Sequence, residues 1–118
     1  MTQTELVLWH NPRCSKSRRA LELLVEEGRE VRVLEYLKAP PSLSQLEELL
    51  ACLDMPARDV VRTSDALYRE ADFDAESADE PDWRKLLVDH PALLQRPILV
   101  AGKRAVIGRP PERVLDLL

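Results

Sequence analysis

The fold is decided by residues 5–28, which read ELVLWHNPRCSKSRRALELLVEEG. An apolar run at the centre of Glu5–His10 predicts a buried strand, and Asn11-Pro12 breaks it. Apolar side chains then recur at helical spacing, which predicts a helix over Ser15–Glu27 with Gly28 where a C-terminal cap belongs. The apolar positions of this helix are Ala20, Leu21, Leu24 and Val25.

The next strand places this helix in a βαβ unit. Val31–Tyr36 predicts a strand that is mostly buried despite its charges. Parallel strands need a crossover connection, usually a helix, so we expect a right-handed βαβ unit with a parallel pair. Ala39-Pro40-Pro41 ends that unit.

A helical insertion is predicted over about residues 42–90. It opens with a capping box over Ser42–Gln45, and the helix that follows is expected to turn its leucines inward. These leucines are Leu43, Leu46, Leu49, Leu50 and Leu53. Further helical segments are predicted near 57–61, 65–70 and 81–89. Pro81 suits a helix start, and His90-Pro91 suits a helix end.

Strands return near the end of the sequence. Pro97–Ala101 and Ala105–Ile107 flank Gly102-Lys103, and so short a connection predicts an antiparallel hairpin. Pro110-Pro111 then opens a final helix. The order β-α-β, helices, β-β-α is the thioredoxin arrangement with a helical block inserted in its middle. The sequence therefore predicts one α/β domain over residues 1–118, with a mixed sheet.

Composition excludes several classes of protein. The chain has 118 residues, of which 45% are hydrophobic and 32% charged, as in globular proteins. No apolar run approaches the roughly 18 residues of a membrane span, and Met1–Glu5 lacks the features of a signal peptide. A net charge of −4 argues against nucleic-acid binding. Two cysteines are too few for a disulfide scaffold, so we expect a cytoplasmic protein. The sequence pattern shows no exposed heptad repeat and no long flat edge strand, so a monomer is the default expectation.

Cys14 is the candidate nucleophile. It lies where the first strand passes into the first helix, so it faces unpaired backbone N–H groups and the positive end of the helix dipole. Both features favour the thiolate, and the same N–H groups form an anion site. Basic neighbours add positive charge, namely Arg13, Lys16 and Arg18. The alternative, a small buried hydrophobic cysteine, fits these neighbours poorly.

The neighbours of Cys14 leave two roles open. Cys14-Ser15-Lys16-Ser17 resembles a C-x-x-C redox motif whose second cysteine is Ser17, so no disulfide closes within it. Ser17 either donates a hydrogen bond to the thiolate or is a polar residue of the first helical turn. His10 either influences Cys14 or is a polar residue at a strand end. Cys52 is interpreted as a packing residue, and no metal site is predicted.

Three arginines stand out by their setting, and one predicts a peptide-bond geometry. Arg62 follows an apolar pair, Arg96 precedes a proline at the start of a strand, and Arg109 lies between Gly108 and a proline. In a thioredoxin-like sheet, the loop before the third strand carries a proline beside the active cysteine. The Arg96–Pro97 bond is therefore predicted to be cis, which is rare enough to be a specific prediction.

These motifs together resemble the glutaredoxin-linked arsenate reductase family over nearly the whole chain. The markers are His10–Arg18, Tyr36-Leu37 with Pro40-Pro41, Arg62, His90-Pro91, Arg96-Pro97-Ile98 and Gly108-Arg109-Pro110. The resemblance implies a thioredoxin-like fold with a helical insertion. It implies that Cys14 is the nucleophile, flanked and tuned by His10 and Ser17. It also implies that arsenate is bound by three arginines whose positive charge lowers the pKa of Cys14, namely Arg62, Arg96 and Arg109.

The resemblance further implies that no cofactor is bound, and that glutathione, as co-substrate, and glutaredoxin, as partner, resolve the Cys14 adduct. The sequence ends at Leu118, soon after the final helix, and its Arg-Cys-Ser-Lys-Ser motif is similar to that of the shorter, arsenate-reductase-like members. Two alternatives stay open. One is a glutathione-dependent thiol oxidoreductase with another substrate. The other is a regulator of the Spx type, which shares the fold and binds RNA polymerase.

Overall fold

The computed structural model describes residues 4–118, which form two compact units. The first unit runs to Ala39 and resumes at Arg96, and the second is Pro40–Gln95. The predicted insertion, residues 42–90, falls within the second unit.

The described part of the first unit contains a four-stranded mixed sheet in the order β2-β1-β3-β4. Its strands are β1 (Leu6–Trp9), β2 (Val31–Leu34), β3 (Ile98–Ala101) and β4 (Arg104–Ile107). β1 is parallel to β2 and antiparallel to β3, and β3 is antiparallel to β4. The predicted parallel pair and terminal hairpin are therefore confirmed. Trp9 is opposite Leu34 and Ile98, so the last residue of β1 and the first of β3 share one end of the sheet.

Helix α1 (Ser15–Glu26) contributes to the core on this sheet. The buried core residues of the unit are Leu6, Leu8, Ala20, Leu24, Leu99 and Val114. Gly28 takes the left-handed conformation just after the helix, with φ of 73°, as its predicted capping position requires. Of the apolar residues whose spacing predicts this helix, Val25 is 62% exposed, while Leu23 is buried. The buried stripe begins instead at Ser17, three residues before Ala20.

The second strand is shorter and more exposed than predicted. β2 is an edge strand, so among the described residues it pairs with β1 alone, and Arg32 and Val33 are exposed. The predicted burial over Val31–Tyr36 is therefore wrong for most of the segment. Tyr36 itself is fully buried beyond the strand, with its ring 6.1 Å from that of Trp9.

The second unit is helical, as predicted. It contains α2 (Leu43–Leu53), α3 (Ala66–Glu70), α4 (Glu80–Asp89) and the 3-10 helices Ala57–Val60 and Pro91–Leu93. The capping box of α2 is confirmed: Ser42 Oγ accepts from the Gln45 N–H at 3.2 Å, and the Gln45 side chain accepts from the Ser42 N–H at 2.9 Å. Leu43 was expected to be buried and is 48% exposed, because it lines an open groove with Pro81 and Val88.

The last segment is a 3-10 helix, Pro111–Leu117, where an α-helix was expected. Its hydrogen bonds span three residues, as from the Arg113 N–H to the Pro110 carbonyl. Two prolines at its start remove two N–H donors, and seven residues are too few for a stable α-helix to form on its own. Val114 is buried in the core of the first unit.

None of the helices within residues 4–118 has the length and apolar character that a membrane crossing requires.

Candidate active site

Cys14 is the N-cap residue of α1, in extended conformation with φ of −93° and ψ of 122°. The apolar residues of β1 fix the strand in the core, and Asn11-Pro12 turns the chain from the strand into the helix. The Cys14 side chain is half-buried. The structure thus places the thiol where the sequence predicts it, at the start of the first helix.

The surroundings of Cys14 favour its thiolate. Burial by itself raises the pKa of Cys14, but it is outweighed by the backbone N–H groups of Ser17 and Lys16 and by the charge and hydrogen bond of Arg96. The net result is a pKa below that of an ordinary thiol. The sulfur forms no capping hydrogen bond with any described residue. The N–H groups are nonetheless close enough to stabilise a negative charge on it.

The origin of this stabilisation differs in part from the prediction. The residues next to Cys14 predict that it comes from the helix start and from the side-chain charges of Arg13, Lys16 and Arg18, whereas the family resemblance implies the three arginines of the oxyanion site. In the structure, Lys16 acts through its backbone N–H, and the cation that acts on Cys14 is Arg96. Arg18 instead donates from Nη1 to the Pro12 carbonyl at 3.0 Å and so ties the loop to the helix.

Asn11 holds the loop that carries Cys14, a role that the sequence analysis missed. Its side-chain oxygen accepts from the Arg13 N–H at 3.0 Å, and its carbonyl accepts from the Cys14 N–H at 3.0 Å. Asn11 is 7% exposed. Asparagine followed by proline is the composition of such a turn, since Asn accepts from the backbone two residues on and Pro fixes φ. The signal was present, but it was interpreted only as the end of a strand.

His10 and Ser17 form a buried pair beneath this loop. His10 Nδ1 and Ser17 Oγ lie 2.6 Å apart, and the Asn11 N–H donates to Ser17 Oγ at 3.1 Å. Burial lowers the pKa of His10; Glu35 opposes this effect and Arg18 adds to it, so the imidazole is neutral near pH 7. Ser17 is fully buried on the core side of α1. The pair joins strand to helix, and its influence on the thiolate stays a prediction.

Arg96 and Arg109 lie in the same unit as Cys14. The Arg96–Pro97 peptide bond is cis, and it is the bond for which the sequence predicts this geometry. Arg109 Nη1 donates to the Arg96 carbonyl at 3.3 Å. The Arg109–Pro110 bond is also cis, which the sequence analysis did not predict. The structure thus brings Cys14 and Arg96 together and links Arg109 to Arg96.

Gly108 allows the two proline loops to approach each other. Its N–H donates to the Pro97 carbonyl at 2.8 Å. A Cβ at this position would lie 2.8 Å from Pro97 Cγ and 3.0 Å from Val114 Cγ1, closer than packed carbon atoms come. Glycine is therefore required for the contact that fixes the Arg109 loop beside the Arg96 loop.

Arg62 belongs to the second unit, where local contacts hold it. Its Nη1 lies 3.1 Å from Asp65 Oδ2, and its backbone N–H donates to the Leu93 carbonyl at 2.7 Å. Its predicted part in oxyanion binding stays a prediction. Cys52 is half-buried on α2. Among residues 4–118, no three His, Cys, Asp or Glu side chains cluster as a metal-binding group.

The chain is similar to known proteins over nearly its full length. Residues 9–117 match the ArsC family model. An arsenate reductase of Neisseria meningitidis serogroup A is 44% identical over 115 residues, which cover 97% of this chain and 98% of that protein. An arsenate reductase of Rhizobium meliloti is 34% identical over 113 residues, which cover 96% of this chain and 81% of that longer protein.

A solved structure confirms the predicted fold class. The arsenate reductase from Vibrio cholerae superposes with a TM-score of 0.93 at 36% identity. The match covers 99% of this chain and 100% of that one. The mixed sheet with its thioredoxin-like order of elements is therefore the fold that this sequence shares with its relatives.

Proposed function

The chain belongs to the ArsC family, and we propose that it is an arsenate reductase whose nucleophile is the Cys14 thiolate. One observation carries the proposal: Cys14 lies at the start of α1 with its pKa lowered by backbone N–H groups and by Arg96. Nucleophile and anion-binding groups thus meet at one thiol. Arsenate, a phosphate-like anion, needs both.

The first chemical step joins arsenic to sulfur. The Cys14 thiolate attacks the As(V) centre, a sulfur–arsenic bond forms, and one arsenate oxygen leaves as water or hydroxide. Both reactants are anions, so positive charge at the site is needed to offset their repulsion. Arg96 supplies it at the sulfur. A guanidinium also presents paired donors that suit a tetrahedral oxyanion.

Three arginines are assigned to the oxyanion in this proposal: Arg62, Arg96 and Arg109. Arg96 acts directly on Cys14, and the hydrogen bond from Arg109 to the Arg96 carbonyl supports a joint action of these two. Arg62 is included on the strength of its position in the sequence.

External thiols complete the reduction in this proposal. Ser17 stands where a C-x-x-C motif has its second cysteine, so the adduct on Cys14 must be attacked by a thiol from another molecule. Glutathione attacks the adduct, glutaredoxin supplies the second thiol equivalent, and As(III) leaves as arsenite. Two thiols are oxidised to a disulfide, which provides the two electrons. We place this reaction in the cytoplasm, where reduced glutathione is abundant, and expect the chain to act as a monomer.

The test is arsenite formation in the presence of glutathione and glutaredoxin. The wild type should be active, Cys14→Ser should be inactive, and Cys52→Ser should retain activity as the matched control. An inactive wild type whose Cys14 is reduced and alkylates readily would refute arsenate as the substrate.

The same preparation distinguishes the alternative oxidoreductase. Arg96→Gln and Arg109→Gln should strongly reduce arsenate turnover, because both side chains are assigned to the oxyanion. Reduction of a small mixed disulfide needs no oxyanion site and should survive in Arg109→Gln. A wild type that reduces disulfides but leaves arsenate unchanged would favour a thiol oxidoreductase with another substrate.

A further inference from the structure

Arg62 is fixed at three points within the second unit. Its backbone N–H donates to the Leu93 carbonyl at 2.7 Å, and its own carbonyl accepts from the Asp65 N–H at 3.1 Å. Its guanidinium lies against the Asp65 carboxylate, with Nη1 3.1 Å from Oδ2. The main chain and the side chain of Arg62 are thus both bonded to Asp65, which restricts the orientations that the guanidinium can take.

The carboxylate of Asp65 is itself held in place. Its Oδ1 accepts from the Leu67 N–H at 2.9 Å, at the start of α3, while its Oδ2 accepts from Arg62. Each carboxylate oxygen therefore has its own donor. Because Oδ1 is bonded to the backbone, Oδ2 presents a fixed acceptor to the guanidinium.

An ion pair of the same spacing on α1 is built differently. Arg19 Nη1 lies 3.1 Å from Glu22 Oε2, the same separation as in the Arg62–Asp65 pair. The side chains of Arg19 and Glu22 are 45% and 63% exposed. Those of Arg62 and Asp65 are only 25% and 29% exposed. Exposed ion pairs are weak and screened by water and salt, so the Arg62–Asp65 pair is better suited to hold a guanidinium.

The contact with Asp65 leaves most of the Arg62 guanidinium able to bind a ligand. A guanidinium has five N–H donors, and among residues 4–118 only Nη1 of Arg62 donates to an acceptor. Nε and Nη2 can still donate in parallel to two oxygens of a tetrahedral anion. Asp65 thus fixes the guanidinium without occupying the edge that suits an oxyanion.

We infer that Asp65 is a positioning residue that holds Arg62 in the orientation that binds the arsenate oxygens. This inference rests on the proposed function, in which Arg62 is assigned to the oxyanion. A side chain that is ordered before the ligand arrives loses less entropy on binding, which is worth roughly two- to ten-fold in affinity. Asp65 exerts this effect without touching arsenate.

The affinity for arsenate is measured by the protection of Cys14 from iodoacetamide, with no other thiol in solution. Mass spectrometry follows the alkylation of each cysteine as arsenate is titrated. Each variant is compared with itself, so a changed reactivity of Cys14 does not alter the dissociation constant. Alkylation of Cys52, which is half-buried on α2 in the second unit, reports any loosening of that unit in the same sample.

A double-mutant cycle separates positioning from charge. Asp65→Asn keeps an oxygen that can cap α3 but loses the carboxylate, so it should raise the dissociation constant for arsenate about three- to ten-fold. Arg62→Gln should raise it at least about ten-fold. In the Arg62→Gln protein, Asp65→Asn should cause no further rise, because no guanidinium is left to hold. The loss of a negative charge by itself favours an anion, and this background measures that opposing effect alone.

The matched control is Glu22→Gln. It breaks the ion pair of the same spacing on α1 and removes the same charge from the molecule. It should leave the dissociation constant for arsenate unchanged, because Arg19 is not assigned to the oxyanion. Alkylation of Cys52 should be the same in Glu22→Gln, Asp65→Asn and the wild type.

Two results would overturn the inference alone. One is an Asp65→Asn protein that binds arsenate as tightly as the wild type does. The other is an equal weakening by Asp65→Asn in the presence and absence of Arg62, which would mean that Asp65 acts on the fold and not on Arg62.

The proposed function fails in a different way. The protection assay contains no reductant, so a wild type that binds arsenate with the expected coupling but forms no arsenite would refute the proposed function alone. A wild type whose Cys14 is not protected by arsenate would overturn both.

Discussion

The start of α1 and the start of α2 face the same physical problem, since the first backbone N–H groups of a helix have no partner within it. At α2 the problem is solved by side chains, because Ser42 and Gln45 form a reciprocal capping box. At α1 the N-cap residue is Cys14, whose side chain makes no capping hydrogen bond with a described residue. Neither helix has an acidic side chain in its first turn, but α1 has Lys16 there, at the end of the helix where the dipole disfavours a cation.

The two helix starts therefore serve different purposes. The capping box at the start of α2 stabilises the helix, whereas the start of α1 carries the candidate nucleophile. At α2 the Gln45 N–H is bonded to the Ser42 side chain and the Ser42 N–H to the Gln45 side chain, so these two N–H groups are not available to a ligand. Those of Lys16 and Ser17 remain available to a negative charge on sulfur. A helix start that violates the preferences for capping and charge is where a functional site is to be expected.

The largest expected effect comes from replacing Arg96, the cation that lowers the pKa of Cys14. Arg96→Gln should lower kcat/KM for arsenate by roughly 10²–10³-fold, in line with the loss of one group that stabilises developing negative charge. It should also raise the pKa of Cys14, because the charge and hydrogen bond of Arg96 are lost. The pH dependence of iodoacetamide alkylation measures that shift directly.

Two further variants sharpen this result. Arg96→Lys keeps the charge but loses the planar guanidinium, so it should recover the alkylation profile better than the arsenate activity. Arg104→Gln, at the exposed start of β4, is the control for net charge. An Arg96→Gln profile that overlays the wild type would show that the α1 start stabilises the thiolate unaided.

The next largest effect concerns the turn that positions Cys14 at the start of α1. Asn11→Ala removes the acceptor for the Arg13 N–H, and we expect about a ten-fold loss of arsenate turnover with a higher Cys14 pKa, since the turn then orients Cys14 less well. Asn11→Asp keeps the acceptor but adds a negative charge. It should therefore preserve stability better than Asn11→Ala while still raising the Cys14 pKa. A loss of stability in Asn11→Ala with an unchanged alkylation profile would contradict this role.

Structural features that depend on residues close together in the sequence could be predicted, whereas features that depend on distant segments could not. Gly28 and the Ser42–Gln45 box were predicted because each depends on residues within a few positions. The exposure of Val33 was not, because it follows from the edge position of β2, and sheet order is set by distant segments. The burial of Leu23 rather than Val25 could not be predicted either, because an apolar stripe fixes the phase of a helix only approximately.

The candidate active site shows the same difference between local and distant determinants. The position of Cys14 and the cis bond before Pro97 were predicted from local motifs in a known fold. That Arg96, rather than the cations next to Cys14 in the sequence, lowers the pKa of Cys14 depends on the tertiary structure, and only the family resemblance implies it. The turn around Asn11 was predictable from its asparagine–proline pair and was overlooked.

A smaller effect tests the two helix starts against each other. Measured at a pH low enough to keep the Cys14 thiol protonated, Cys14→Ser introduces a capping hydroxyl at an N-cap of extended conformation, so it should raise the free energy of unfolding by about 0.5–1 kcal/mol while abolishing activity. Ser42→Ala should lower it by about 1 kcal/mol without loss of activity. Urea unfolding of both variants gives the two values. A Cys14→Ser protein less stable than the wild type would mean that the thiol already caps α1.

The smallest effect is a dependence of stability on pH at the start of α1. Burial lowers the pKa of His10, Glu35 opposes this and Arg18 adds to it. The unfolded chain therefore binds this proton at a higher pH than the folded chain does. The free energy of unfolding should accordingly fall as the pH drops from about 6.5 through the folded value.

Cys14 acts in the same direction in another pH range. Its lowered pKa means that the folded chain loses the thiol proton first, so stability should rise with pH up to about 8.5, where the unfolded thiol also ionises. In urea unfolding across pH, His10→Gln should flatten only the acid range and Cys14→Ser only the alkaline range. Ser42→Ala should shift the whole curve downward by a constant, because Ser42 and Gln45 do not titrate. If the difference in unfolding free energy between Ser42→Ala and the wild type varied with pH, the proposed distinction between the two helix starts would be wrong.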